Sequence, residues 1–448
     1  MRIYLDNCVI QDLKRQENID LLNAIVEDKK YNVYCYSEAH LQDLMRDKSN
    51  HKFDDLEFME KVVDGNCWHY NKKILFDHIK PKDFYNPFPE YSENLFDTNE
   101  IFSGDLIFKS MERIFKSIPL DFKQFIQPEL LPSDFPIEFQ KLLEQPTNFY
   151  EFFCAFGDFT NELSANQKEF KKLISYLHNN NLTGSLFQQI GIEGYDGKEI
   201  TNKVKFRESY TKYFLNDKKG KYRYDLFLDQ YNGLEMFSFV KGKPRKQQMM
   251  NLINDGRHAF FGGFCDIVVS KDVDFLEKTK FIYNMHDIKT IVYNISEFQD
   301  FLSNSVSDNK LNLVDMIKDG NEIKANNIIQ NDKGVVSMKL DNVYFSYFDT
   351  AYYVENENGN YNFYTRFQTN MSTGTLKNEF EMVVDSMIKN LGVDANGKAG
   401  FDATEIDGDK WIGRVWRIED TIIELNLNGK LYLAFYPLEY IESTKTQQ

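Results

Sequence analysis

The sequence is short of the features that mark secreted and membrane proteins. Its 448 residues include only five cysteines, and these form no CxxC pairs, so neither a zinc site nor a disulfide framework is predicted. No apolar run approaches the roughly 18 residues that a membrane span needs. The chain also opens on a strand pattern rather than on a basic and apolar leader. We therefore expect a cytoplasmic protein without a membrane partner.

Positive charge is scarce as well. Lys and Arg number 53 against 69 Asp and Glu, which gives a formal net charge of -16. This balance argues against a broad basic surface that grips duplex phosphates, so any nucleic-acid contact is expected to be local or mediated by metal. Aromatic residues are plentiful, with 26 Tyr and 39 Phe. The chain is longer than the length at which single hydrophobic cores stop growing, so more than one folding unit is expected.

Alternating strand and helix patterns occur at both ends of the first 303 residues. Short apolar, β-branched segments are separated by amphipathic helical segments, and they lie at 2–5, 33–37, 264–272 and 290–294. Strands that alternate with helices form parallel sheets. We therefore predict an α/β domain with a parallel sheet that is built from these segments.

The remaining residues have a different character. Residues 64–249 are rich in Phe, Tyr, Lys and Asn and carry helical patterns, so they are predicted to form a mostly helical insertion. From 304 to 448, successive strand patterns are separated by Asp, Asn or Gly turns, and one helix is closed by Gly392. This region is predicted to be an α+β C-terminal domain with antiparallel strands.

Acidic residues follow two of the predicted parallel strands. Asp6 comes directly after the first strand, and Ser270, Asp272 and Asp274 follow the strand near 267. Open α/β folds place their sites at this carboxyl edge of the sheet. The alternative for Asp6 is a structural one, because an Asp before a helix also caps backbone amides and complements the helix dipole.

Further acids are expected near this edge. Asp43 lies about two turns into the helix after the second strand, with Glu38 in its first turn as a competitor. Asp255 opens or lies within a later helix and shares a face with His258. Clustered carboxylates repel one another unless a cation neutralises them, and hard oxygen ligands suit Mg²⁺ or Mn²⁺. Such a site is suited to hydrolysis of phosphodiester bonds.

Three motifs, YLDNCVI, YSEAHLQDL and NDGRHAFFGGFCDIVVSKDVDF, resemble those of the PIN-domain family and occur in the same order. The resemblance covers 1–63 and 250–303. It implies a Rossmann-like α/β/α nuclease that binds Mg²⁺ or Mn²⁺ and acts most often on single-stranded or structured RNA. The positions it matches are Asp6, Asp43, Asp255 and, with Ser270, Asp272. Two departures stand out: Asn7-Cys8 replaces the frequent Thr-Asn or Thr-Ser, and Asp43 replaces Glu.

The residues between Lys203 and Lys246 interleave Lys and Arg with Phe and Tyr. This composition suits phosphates together with stacked bases, although a solvated positive face explains it equally simply. The residues predicted to bind substrate are Asn7, Ser270, Lys218, Lys219, Lys221, Arg223, Lys243, Arg245 and Lys246. The predicted metal ligands are Asp6, Glu38, Asp43, Asp255, Asp272 and Asp274. The predicted catalytic residues are Asp6, Asp43, Asp255, Asp272 and His258.

Together these features predict a metal-dependent nuclease, foremost an endoribonuclease, with a toxin or defence role as one option. A catalytically silent PIN-like scaffold that binds RNA or protein is an alternative, and a structure-specific DNA nuclease is another. The sequence leaves open a homo-oligomer or a regulatory protein partner.

Overall fold

The computed structural model of the chain describes residues 1–45, 51–71, 73–85, 116–117, 146–165, 191–196, 199–215, 224–237, 239–240, 249–305, 313–318, 335–356, 359–366, 370–371, 373–407, 410–427 and 431–437. Over these residues, no helix combines the length and the apolar character that crossing a membrane requires. The fold is mixed α/β, with a seven-stranded mixed sheet of mostly parallel strands, a separate six-stranded antiparallel sheet and a two-stranded antiparallel sheet.

The strands are, in chain order, β1 (Arg2–Leu5), β2 (Val33–Ser37), β3 (Asn66–Tyr70), β4 (Ile74–His78), β5 (Ile267–Val269), β6 (Ile291–Tyr293), β7 (Val335–Tyr344), β8 (Phe348–Asn356), β9 (Gly359–Thr365), β10 (Asn370–Met371), β11 (Ile406–Asp407), β12 (Lys410–Trp411), β13 (Arg414–Ile418), β14 (Thr421–Leu427) and β15 (Leu431–Pro437). The α-helices are α1 (Asn7–Leu13), α2 (Ile19–Asp28), α3 (Glu38–Met45), α4 (His51–Val63), α5 (Pro81–Tyr85), α6 (Phe149–Ala165), α7 (Lys203–Leu215), α8 (Tyr224–Gly233), α9 (Met249–Gly262), α10 (Val273–His286), α11 (Ile295–Ser305) and α12 (Thr373–Leu391).

The chain forms two compact units. The first comprises Met1–Phe88, Phe261–Asp272 and Lys289–Gln448, and the second comprises Pro89–Phe260 and Val273–Ile288. The seven-stranded sheet and the six-stranded sheet both lie in the first unit.

The mixed sheet of the first unit has the strand order β10-β4-β3-β2-β1-β5-β6. Strands β3, β2, β1, β5 and β6 run parallel to one another, β4 is antiparallel to β3, and β10 is parallel to β4. The five parallel strands have the doubly wound order, in which the strand sequence reverses between β1 and β5. In open α/β sheets ligands bind at this switch point, at the carboxyl ends of the strands.

Strands β3 and β4 lie within the region that was predicted to be a helical insertion. The difference arises because Cys67 and Trp68 are fully buried and pair with the end of β2, which extends the sheet beyond the predicted domain. The segment NCWHY gave no strand pattern because its polar residues interrupt the apolar alternation. The sheet is therefore mixed rather than purely parallel.

The first sheet is buried by helices from its own unit. Ile3 and Leu5 of β1 belong to a core cluster with residues of α1, α2, α4 and α11. On α1 the predicted spacing is confirmed, since Val9, Ile10 and Leu13 are all buried. Strand β1 is buried at every position, as expected for a strand covered on both faces.

The antiparallel sheet has the order β13-β14-β15-β9-β8-β7, which confirms the predicted antiparallel strands. Helix α12 contributes Phe380, Val383, Val384 and Met387 to the core cluster of this region. Gly392 ends the helix as predicted, with a φ of 81° and an amide that donates to the Ile388 carbonyl at 2.8 Å. Glycine adopts this left-handed conformation without steric cost.

The second unit is described through α6, α7, α8, α10 and most of α9. Aromatic side chains pack its helices together: Phe206 and Tyr210 of α7 lie with ring centroids 5.1 Å and 5.7 Å from Phe237. The Tyr210 hydroxyl donates to the Gln230 carbonyl at 2.6 Å, which joins α7 to α8.

Two buried ion pairs connect the first sheet to later parts of the first unit. The Arg2 guanidinium donates to both carboxylate oxygens of Glu379, at 2.6 Å and 2.9 Å, and the two side chains are 2% and 3% exposed. Arg2 also lies over the Phe76 ring, 4.6 Å from its centroid. Arg366 donates to Asp266 at 2.7 Å, just before β5. These contacts place α12 and residue 366 in the same unit as β1 and β5.

We expect Glu379→Gln to lower the free energy of unfolding by about 3–5 kcal/mol, because it removes the carboxylate charge that faces the buried Arg2 guanidinium. Urea unfolding measures the change. Glu381→Gln, at an exposed position of the same helix, serves as the control and is expected to change stability by less than about 0.5 kcal/mol. If Glu379→Gln behaved like this control, the Arg2 charge would not require the Glu379 carboxylate.

Asp266 is expected to make stability depend on acidic pH. Burial raises the pKa of Asp266, but Arg366 and the backbone amide of Arg2 lower this pKa by more than burial raises it. The net shift of the pKa is therefore downward. The contribution of the Asp266 carboxylate to the free energy of unfolding is therefore complete above the unfolded-state pKa of about 3.9. This contribution is lost as the pH falls through the lower folded-state pKa. The stability difference between wild type and Asp266→Asn should shrink over that range. Urea unfolding at a series of pH values tests this, and a constant difference would contradict it.

Candidate functional site

The carboxyl ends of β1 and β5 meet at the switch point of the first sheet. Asp6 follows β1, and its amide extends the pairing by donating to the Val269 carbonyl at 2.9 Å. Ser270 follows β5, and its amide donates to the Tyr293 carbonyl at 3.1 Å. Two residues that are 264 positions apart in sequence are thereby placed side by side, as the sequence predicted for this edge.

The Asp6 carboxylate faces Ser270 and does not cap the helix. Asp6 occupies the N-cap position of α1, but its side chain makes no capping hydrogen bond. Instead, Oδ2 accepts hydrogen bonds from the Ser270 hydroxyl at 2.6 Å and from the Cys8 thiol at 3.0 Å. The structural alternative for Asp6, a side-chain helix cap, is therefore not what the side chain does.

The surroundings of this carboxylate are almost closed to water. Asp6 is 8% exposed and Ser270 is fully buried. The two donors are neutral groups, so they do not balance the charge of an ionised carboxylate. Among the residues that the structure describes, no Lys, Arg or His side chain forms an ion pair with Asp6. A cation at this site would therefore offset the cost of burying the carboxylate charge.

Ser270 also shapes the turn after β5. Its hydroxyl oxygen accepts a hydrogen bond from the Asp272 amide at 3.1 Å while its proton is directed to Asp6. The intervening Lys271 points elsewhere and pairs with Asp12 of α1 at 2.7 Å. One serine thus fixes the carboxylate of Asp6 and the backbone of Asp272 at once.

Cys8 is a donor at this site, a role that the sequence did not reveal. Burial, together with the neighbouring Asp6 carboxylate, raises the pKa of the Cys8 thiol well above its usual value. The group is therefore a protonated thiol at neutral pH and is unsuited to act as a nucleophile. The sequence feature that could have indicated this role is the position of Cys8 two residues after Asp6, where the resemblance leads one to expect Asn or Ser.

Asp43 and Glu38 are the two candidates for the second acid. Burial raises the pKa of Tyr4 well above its usual value, and the charges of Asp6 and Asp43 both add to the rise. Glu38 accepts a hydrogen bond from the Tyr70 amide at 3.4 Å, on β3. The choice between the two acids stays a prediction.

The other predicted site residues are distributed as follows. Asn7 is half-buried as the first residue of α1, and Asp272 is half-buried after β5. Asp255, His258 and Asp274 belong to the second unit. His258 is 1% exposed and lies 3.5 Å from the Asn254 side-chain amide, one turn away on the same helix. Lysine and arginine residues predicted to bind substrate lie outside the described residues: Lys218, Lys219, Lys221, Arg223, Lys243, Arg245 and Lys246.

The predicted metal centre stays a prediction. In the part of the chain that the structure describes, no group of three or more His, Cys, Asp or Glu side chains is arranged to hold a metal ion. The structure brings together the Asp6 carboxylate, the Ser270 hydroxyl and the Asp272 amide. Carboxylate and hydroxyl oxygens are ligands of the kind that Mg²⁺ and Mn²⁺ prefer, so the donor chemistry fits while the cofactor stays a prediction.

No family model, no curated protein and no solved structure matches the chain. The resemblance to the PIN-domain family therefore stays a prediction that depends on the three sequence motifs.

Proposed function

We propose that this protein is a divalent-metal-dependent nuclease that hydrolyses phosphodiester bonds, with RNA as its substrate. One observation carries the proposal: Asp6 presents a nearly buried carboxylate at the switch point of a doubly wound sheet and holds it toward Ser270 and Cys8 rather than toward the amides of α1. A carboxylate whose only role was helix capping would be directed at those amides.

Asp6, Asp43 and Asp272 are the proposed ligands within the first unit. When bound, Mg²⁺ or Mn²⁺ would supply positive charge for the phosphodiester and an acidified water. The protein's own part is to orient and to exclude water. Ser270 fixes Oδ2 of Asp6 by a 2.6 Å hydrogen bond, and the burial of both residues strengthens electrostatic interactions at the site.

The choice of RNA comes from the family resemblance. Carboxylates and metal ions do not by themselves distinguish ribose from deoxyribose, because that distinction depends on contacts to the 2′-hydroxyl. The prediction that Asp255 and His258 are site residues likewise comes from the motif NDGRHAFFGGFCD alone.

We expect Asp6→Asn and Asp272→Asn to lower cleavage of a labelled RNA in Mn²⁺ by about 100-fold or more, the usual loss when one electrostatic group of an active site is removed. Asn preserves the shape of the side chain and removes its charge. Asp20→Asn, at an exposed position of α2, is the matched control and should cleave like wild type. Isothermal titration with Mn²⁺ should show that Asp6→Asn also loses metal affinity.

The same panel separates the alternatives. Unchanged cleavage by Asp6→Asn would exclude the proposed site. Binding of Mn²⁺ and RNA without turnover in wild type would instead identify a silent scaffold, and cleavage restricted to structured DNA would identify a DNA nuclease. Asp43→Asn compared with Glu38→Gln decides the second acid, and Asp43→Asn is expected to cause the larger loss.

A further inference from the structure

The ladder of backbone hydrogen bonds between β1 and β2 ends one hydrogen bond, or one rung, before the strands do. The Val33 amide donates to the Met1 carbonyl at 2.8 Å, and the pairs Arg2↔Val33 to Tyr4↔Cys35 keep this register. Because hydrogen bonds to one neighbour recur every second residue along a strand, the last rung would join the Ser37 amide to the Leu5 carbonyl.

A histidine ring occupies the place of that rung. The Ser37 amide donates to Nδ1 of His40 at 3.1 Å, and Nε2 of His40 lies 2.7 Å from the Leu5 carbonyl oxygen. A backbone amide only donates, so Nδ1 is the acceptor. Nε2 therefore carries the proton and donates to Leu5, since a carbonyl only accepts. The neutral imidazole therefore bridges the Ser37 amide of β2 and the Leu5 carbonyl of β1.

The local sequence explains why the ring sits there. Ser37 is followed by α3, and its hydroxyl accepts a hydrogen bond from the Ala39 amide at 3.2 Å. His40 stands three residues after this capping serine, where a capping-box side chain reaches back to the N-cap amide. The Tyr4 hydroxyl lies 2.6 Å from the Ser37 hydroxyl, and its ring centroid lies 5.0 Å from that of His40. His40 is fully buried.

This bridge through the His40 ring ends on the peptide that carries Asp6. The Leu5–Asp6 peptide is planar, so holding its two polar groups fixes its orientation. Its carbonyl accepts from His40 on the β2 side, and its amide donates to Val269 on the β5 side. The Asp6 side chain leaves the backbone immediately after this peptide.

We propose that His40 is a positioning residue for Asp6: its imidazole replaces the last β1–β2 rung, orients the Leu5–Asp6 peptide and separates the two strand ends by the width of a ring. As a contribution to metal binding, this inference depends on the proposed function. The orientation of the peptide does not.

A pair of substitutions tests the role. His40→Met removes both hydrogen bonds at similar volume, whereas His40→Gln keeps an acceptor and a donor, and Gln is a natural capping-box residue. His51→Met, at an exposed histidine of α4, is the control. The measurements are hydrogen exchange of the Asp6 amide, Mn²⁺ affinity, and kcat and KM for RNA cleavage, all below the melting temperature of each variant.

We expect His40→Met to accelerate exchange of the Asp6 amide and to raise the Mn²⁺ dissociation constant by about tenfold or more, as for residues that orient metal ligands. The value of kcat should fall while KM for RNA stays near that of wild type. His40→Gln should restore each quantity to within about threefold of wild type.

Two outcomes would overturn the inference. The first is that the Asp6 amide exchanges at the same rate in His40→Met and in wild type. The second is that His40→Met melts at a lower temperature but binds Mn²⁺ and cleaves RNA as wild type does, in which case His40 acts only as a helix cap. Absence of Mn²⁺ binding in wild type overturns the proposed function and the metal-binding part of this inference, and the exchange of the Asp6 amide then decides the orienting role alone.

Discussion

The register of β1 between β2 and β5 is the constraint on which the candidate site depends. Every residue of this four-residue strand is buried, and a shift by one position would exchange its two faces. Ile3 and Leu5 face the core shared with α1 and α4, and Asp6 is the first residue beyond the strand. Its position at the sheet edge is thus a consequence of how β1 is packed, and the carboxylate requires no special backbone conformation.

The strand is held at both ends by side chains from distant parts of the sequence. At its amino end Arg2 pairs with Glu379, and at its carboxyl end the Leu5 carbonyl accepts from His40. A buried ion pair is weak evidence for net stability, because desolvation offsets much of the attraction. Its geometric demand is nevertheless strict, since a displaced β1 would separate the buried Arg2 guanidinium from the two Glu379 oxygens to which it donates. The pair therefore bears on register more than on total stability.

Local patterns predicted β1 and β2 well, because these strands are largely apolar runs whose bounds, Arg2–Leu5 and Val33–Ser37, follow from periodicity and from the capping Ser37. They did not predict β3, whose polar residues hide a buried Cys67 and Trp68. The pairing of Arg2 with Glu379 was also beyond prediction, because the partners are 377 residues apart and neither has a local signature. Asp6 and Ser270 were predicted at one sheet edge because both follow strands. That the Ser270 hydroxyl donates to Asp6 required the register between β1 and β5.

The departure of Asn7-Cys8 from the motif pattern has a physical meaning at this edge. Cys8 stands where the resembling family leads one to expect Asn or Ser, and its thiol donates to the same oxygen of Asp6 as Ser270 does. A thiol is a weaker donor than an amide or a hydroxyl, so it neutralises less of the charge on a carboxylate. Its raised pKa keeps it protonated, so it adds no negative charge of its own. The Cys8 thiol therefore satisfies the Asp6 carboxylate less than an amide or a hydroxyl at the same position would, which favours interaction of the carboxylate with a cation.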